Sequence, residues 1–126
     1  MAIVPGLRAV IDHTVAEPDT AVALGSGDVP VLGTPRVLAL AERATVAACA
    51  GALDPGATSV GTRVELDHLA ASPVGATVRV TAELERVEGR RLEFAVELRD
   101  MGRLTARGRI TRVLVDRDAF LDAATR

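Results

Sequence analysis

The sequence has two phenylalanines and neither tyrosine nor tryptophan. It therefore has no aromatic platform on which single-stranded nucleic acid could stack, and a net charge of −2 supplies no general basic surface. No nucleic-acid partner is expected. Cysteine is equally scarce. Cys49 stands alone, so no intramolecular disulfide can form, and the opening Met1-Ala2-Ile3-Val4-Pro5-Gly6 has neither a basic segment nor the apolar core of a secretory leader. A reducing, cytoplasmic setting is the expectation. Long hydrophobic runs are missing too. The longest weakly charged stretch, 37–53, is interrupted by Glu42 and Arg43 and falls short of the ~20 apolar residues of a membrane span. There is also no Cys-rich or His-x-x-x-His spacing and no glycine-rich phosphate loop between a strand and a helix, so no metal or cofactor is expected.

What remains is an ordinary globular composition, 48% hydrophobic and 25% charged over 126 residues, enough for one domain spanning 1–126. Residues 7–15 alternate as a half-buried strand, with Leu7, Ala9, Ile11, His13 and Val15 on one phase. The stretch 16–33, punctuated by Pro18, Gly25, Gly27, Pro30 and Gly33, reads as a long loop, and Val29 and Leu32 in it are candidates to close over a ligand. Thr34-Pro35 begins a helix, with Thr34 as N-cap and Pro35 at its first position, and the helix runs to about residue 53 before Asp54-Pro55-Gly56. Apolar side chains cover nearly its whole circumference, which predicts that other elements wrap it. Four alternating strands follow. Thr62, Val64, Leu66 and His68 share one phase; Val78, Val80, Ala82 and Leu84 face in on the next; Leu92, Phe94, Val96 and Leu98 follow a turn at Glu88-Gly89. A turn at Asp100-Met101-Gly102 leads to Leu104, Ala106, Gly108, Ile110, Arg112 and Leu114, and a short amphipathic segment, 116–124, is placed over a sheet edge. One segregated helix among runs of strands predicts an α+β fold in which a five-stranded antiparallel sheet curls round the helix. Its open edges favour a homodimer.

A few polar residues break this pattern. Glu42 shares a helix stripe with Leu38, Ala39, Thr45 and Val46, where an unpaired carboxylate is costly. It is either a functional acid or the partner of a buried arginine or a dimer seam. His68 ends a strand on its core-facing phase, as a structural histidine or as a proton carrier. Thr34 is first an N-cap, yet the N-terminus of a buried helix also suits a developing oxyanion. Eight positions separate Thr34 from Glu42, about 12 Å of rise, room for a carbonyl and a water. Arg112 interrupts the inward phase of the last strand, to pair with a carboxylate or to meet a phosphate. His13 is explained by a strand end, and Cys49 as a small core residue. Asp67 and His68 point to opposite faces and cannot form a relay.

Three segments in order, V-L-G-T-P-R-V-L-A-L-A-E-R-A at 31–44, S-V-G-T-R-V-E-L-D-H-L-A-A-S-P-V-G at 59–75 and V-T-A-E-L-E-R-V-E-G-R-R-L at 80–92, resemble the hotdog-fold thioesterases, in particular the fluoroacetyl-CoA thioesterase group. The resemblance implies a hotdog fold and hydrolysis of an acyl-CoA thioester, with two active sites at a dimer interface. It also implies catalytic roles for Thr34, Glu42 and His68, a carbonyl contact from the Gly61 N–H, and a site role for Arg112. In the fluoroacetyl-specific enzyme an aromatic residue in the loop before the helix closes the acyl pocket. The loop here, 25–33, has none, which removes the ground for expecting fluoroacetyl specificity. A non-catalytic acyl-CoA or small-ligand binding protein of the same fold is the alternative. A hydratase would need an Asp-x-x-x-x-His dyad, and the chain has none.

Overall fold

Alternation along the strands places the core. In the computed structural model, which describes residues 3–125, the elements are β1 (Arg8–Thr14), a single 3-10 turn (Glu17–Asp19), α1 (Ala21–Leu24), α2 (Thr34–Cys49), β2 (Ala57–His68), β3 (Thr77–Glu88), β4 (Arg91–Asp100), β5 (Arg103–Asp116) and α3 (Arg117–Ala124). The chain start read from Met1 and Ala2 lies outside the described residues. All pairings are antiparallel, in the order β1-β3-β4-β5-β2. Val78, Val80, Ala82 and Leu84 of β3 and Leu92, Phe94, Val96 and Leu98 of β4 are buried as the period-2 pattern requires. They pack on Val37, Leu40, Ala41 and Ala44 of α2. Met101 (φ 50°) and Gly102 (φ 79°) make the two-residue β4–β5 turn, where positive φ at both positions matches the strand twist.

Several expectations need correction. The helix is capped by the Gly33 backbone and not by Thr34, whose hydroxyl goes elsewhere. It ends at Cys49, where Ala50 N–H and Ala52 N–H turn back to the carbonyls three residues earlier. It is wrapped on one side only. Ala39, Arg43, Val46 and Ala47 are exposed, because the sheet covers about half its circumference. The loop 16–33 is more ordered than glycine and proline suggest: it contains α1 and is stitched by bridges Thr20↔Leu32 and Val31↔Pro73. No residue of α3 is buried, so it does not cover a sheet edge with its apolar face; Phe120 and Leu121 are exposed.

The most consequential correction is in β2. It starts at Ala57, five residues earlier than its alternation suggests, and its register against β5 slips between Gly61 and Arg63. Thr62 is the extra residue of a bulge and does not continue the His68 phase. Gly61 pairs with Arg112 before the slip, and Val64, Leu66 and His68 pair with Ile110, Gly108 and Ala106 after it. Seven positions apart, Gly61 and His68 belong to opposite faces of a regular strand; the bulge puts both on the side of α2. Among the described residues no helix is long and apolar enough to cross a membrane.

Candidate active site

The site lies along the seam where α2 meets β2 and β5. At the N-terminal end of α2, Thr34 Oγ1 and His68 Nδ1 form a 2.8 Å hydrogen bond. Thr34 is exposed and His68 half-buried, so the pair borders solvent. Burial pushes the His68 imidazole below its ordinary value of 6.5, with the Ala70 backbone working in the opposite direction. The ring is therefore biased toward its neutral form, in which one nitrogen can take a proton.

Two turns further along α2, Arg112 Nη1 donates to Glu42 Oε2 at 3.1 Å. The two partners differ in environment: the arginine side chain is 8% exposed and the glutamate 35%. A buried arginine on the inward phase of β5 needs a counter-charge, and the anomalous carboxylate of α2 supplies it. Gly61 faces the same carboxylate. A Cβ built on Gly61 would fall on Glu42 Oε2 and lie 3.5 Å from Arg112 Nη1, so only glycine leaves the carboxylate where it is. The structure thus brings Thr34 to His68, and Glu42 to both Arg112 and Gly61, along one helix.

Val29 and Leu32 separate. Val29 is 51% exposed on the loop, whereas Leu32 is 1% exposed within the core and its N–H donates to the Ser72 carbonyl. Cys49 is a core residue as expected, with burial raising its thiol against an opposing pull from Arg112. His13 has a partner that sequence reasoning missed. Its Nε2 lies 2.8 Å from Asp19 Oδ2, while Arg36 Nε lies 3.0 Å from Asp19 Oδ1 and Ala16 N–H donates to Oδ2 at 2.8 Å. Burial works to raise the Asp19 carboxyl, but Ala16, His13 and Arg36 together hold it below its ordinary range. This clasp closes the stem of the 16–33 loop, and Gly33 N–H donates to the Asp19 carbonyl beside it. Ser59 was also missed, since a serine in a strand carries no periodic signal; it accepts two hydrogen bonds from Arg112. Among the described residues no group of three or more His, Cys, Asp and Glu side chains could hold a metal ion.

Comparison with known proteins places this seam in context. The model of the family described as fluoroacetyl-CoA-specific thioesterase, FlK, matches residues 15–118. The fluoroacetyl-CoA thioesterase of Streptantibioticus cattleyicolor is 49% identical over 70 residues, 56% of this chain and 50% of that protein. The match thus spans half the length of that relative. A solved structure of the fluoroacetyl-CoA thioesterase FlK superimposes with a TM-score of 0.93 at 33% identity, covering 99% of this chain and 97% of that one. A hot-dog-like protein from Thermanaerovibrio acidaminovorans superimposes with a TM-score of 0.87 at 25% identity, over 95% and 89% of the two chains.

Proposed function

This chain belongs to the fluoroacetyl-CoA-specific thioesterase family, and on that premise we propose that it hydrolyses a small or medium acyl-CoA thioester to the free acid and coenzyme A. The observation that carries this reading is the placement of Glu42 against Gly61 and Arg112 on the same helix that joins Thr34 to His68. Variants of the related thioesterase are solved with fluoroacetate and CoA, and with acetyl-CoA, which supports a CoA thioester as the substrate class.

In the proposed reaction the Glu42 carboxylate takes a proton from water as the water oxygen bonds to the thioester carbon. Alternatively, Glu42 itself bonds to that carbon, and water then hydrolyses the mixed anhydride. In both routes the negative charge gathers on the carbonyl oxygen, where the Gly61 N–H and the N-terminus of α2 are the proposed donors. In the first route the C–S bond then breaks and the sulfur takes the proton that Glu42 removed from water. In the second the C–S bond breaks as the anhydride forms, and the sulfur takes a proton from the water that hydrolyses the anhydride. Thr34 and His68 orient the carbonyl and pass protons, and Arg112 holds the carboxylate. Trapping an acyl-enzyme by rapid-quench mass spectrometry separates the two routes.

The working unit is proposed to be a homodimer of this one-domain chain. β2 lies at a sheet edge, with residues 61–65 exposed, and pairing two copies would cover unpaired backbone groups beside the site. The lone, buried Cys49 fits a reducing, cytoplasmic setting. The function is tested by thiol release from a panel of short, branched, aromatic and long acyl-CoAs. Release from at least one class is expected; none from any of them contradicts the reading.

A further inference from the structure

One residue orients the guanidinium that holds Glu42. The Ser59 hydroxyl accepts from Arg112 Nε at 2.8 Å and the Ser59 carbonyl accepts from Nη2 at 2.9 Å, leaving Nη1 to donate to Glu42 Oε2 at 3.1 Å. A guanidinium is a rigid planar fork, so fixing Nε and Nη2 fixes the direction in which Nη1 points. Ser59 reaches the fork from the stretch of β2 ahead of the bulge, where Gly61 pairs with Arg112. It pairs with Leu114 two residues before Gly61, and so lies on the inward phase of β2 ahead of the slip.

Among the described residues, Arg112 is the group that hydrogen-bonds the Glu42 carboxylate. The carboxylate is the more exposed of the two and its side chain has freely rotating bonds, so its position depends on the buried arginine. If the Ser59 hydroxyl were lost, Nε–H would lose its partner and the fork would be held only by the Ser59 carbonyl at Nη2 and by Glu42 itself, so it could tilt and carry the carboxylate with it.

We propose that Ser59 is a positioning residue of the thioesterase site, acting through Arg112 to hold the Glu42 carboxylate against Gly61. The proposal rests on the reading of Glu42 as the catalytic carboxylate. Ser59 itself does not touch the reacting atoms. Its removal lowers the rate of the chemical step more than the binding of the thioester, because it misplaces a group whose position matters in the transition state.

The test uses the full-length protein and an acyl-CoA that it turns over. Ser59→Ala should lower kcat about tenfold with KM within about twofold, and Ser59→Thr, which keeps the hydroxyl, should restore most of the rate. In an Arg112→Lys background, which lacks the fork, Ser59→Ala should have no further effect. The Arg112 Nε–H resonance should exchange slowly in wild type and in Ser59→Thr and rapidly in Ser59→Ala, with circular dichroism showing that each variant is folded. Full kcat in Ser59→Ala beside an inactive Glu42→Gln overturns the proposal alone. So does an equal loss from Ser59→Ala with and without Arg112. Wild-type turnover in Glu42→Gln, or no thioester turnover by the wild type, overturns the catalytic reading and takes the proposal with it.

Discussion

Thr34 Oγ1 lies 2.8 Å from His68 Nδ1, so a residue whose sequence context marks it as a helix cap instead ties the start of α2 to the end of β2. If the two side chains act as one unit, their removal is not additive. Thr34→Ala and His68→Asn should each lower turnover by about 100-fold, and the double variant should fall little further. Losses that multiply would mean that the contact is structural and the residues work apart.

The same histidine couples stability to pH. Burial holds its folded-state value below the 6.5 of a free imidazole, so on acidification the unfolded chain takes up a proton first. The His68 contribution is therefore complete above that value and is lost as pH falls through the lower folded-state value. Thermal midpoints measured from about pH 8 to pH 5 should fall less steeply for His68→Asn than for wild type. Parallel curves would contradict the assignment.

Gly61 is needed for closeness and not for an unusual backbone, since it is not among the positive-φ glycines. Gly61→Ala places a methyl where Glu42 Oε2 sits, while an edge strand accommodates alanine readily. Turnover should drop by a factor of ~10–100 if the carboxylate acts from this position, with the melting point nearly unchanged. Unchanged turnover would show that Glu42 works from elsewhere.

Val29 and Leu32, paired in the sequence reading as one lid, now give opposite expectations. Leu32→Phe overpacks a core site that is 1% exposed and should cost about 1–3 kcal/mol of stability. Val29→Phe adds a ring to an exposed loop position, and should narrow the range of acyl groups hydrolysed at little cost in stability. Relative rates across an acyl-CoA series, set beside denaturation midpoints, check both. A Val29→Phe profile identical to wild type removes this loop from the site.

How much of this was legible depended on whether a feature repeats. The alternation of Val78, Val80, Ala82 and Leu84 reports burial directly, because every second side chain of a strand shares a face. Glu42 and Arg112 were visible as two charges on apolar phases, each needing a partner, and they are partners. The bulge at Thr62 was not visible, since one extra residue leaves no mark on composition. As a result Thr62 reads as part of the His68 phase, although it is the extra, exposed residue of the bulge. The Asp19 clasp joins His13, Ala16 and Arg36 across a loop whose path no local pattern encodes. Ser59 is an unremarkable residue until Arg112 is seen to lean on it.

The central claim is that Glu42 works as a base or nucleophile and is not merely the counter-ion of Arg112. Glu42→Gln preserves the volume and one oxygen able to accept from Arg112, but cannot take a proton or form an acyl bond in the same way. The most direct measurement is acyl-CoA turnover and thermal midpoint on wild type and this one variant. Turnover should fall by a factor of ~100 or more, with a small change in midpoint whose sign depends on how Arg112 resettles. Near wild-type turnover together with a collapsed midpoint would make Glu42 a structural ion-pair residue and contradict the account.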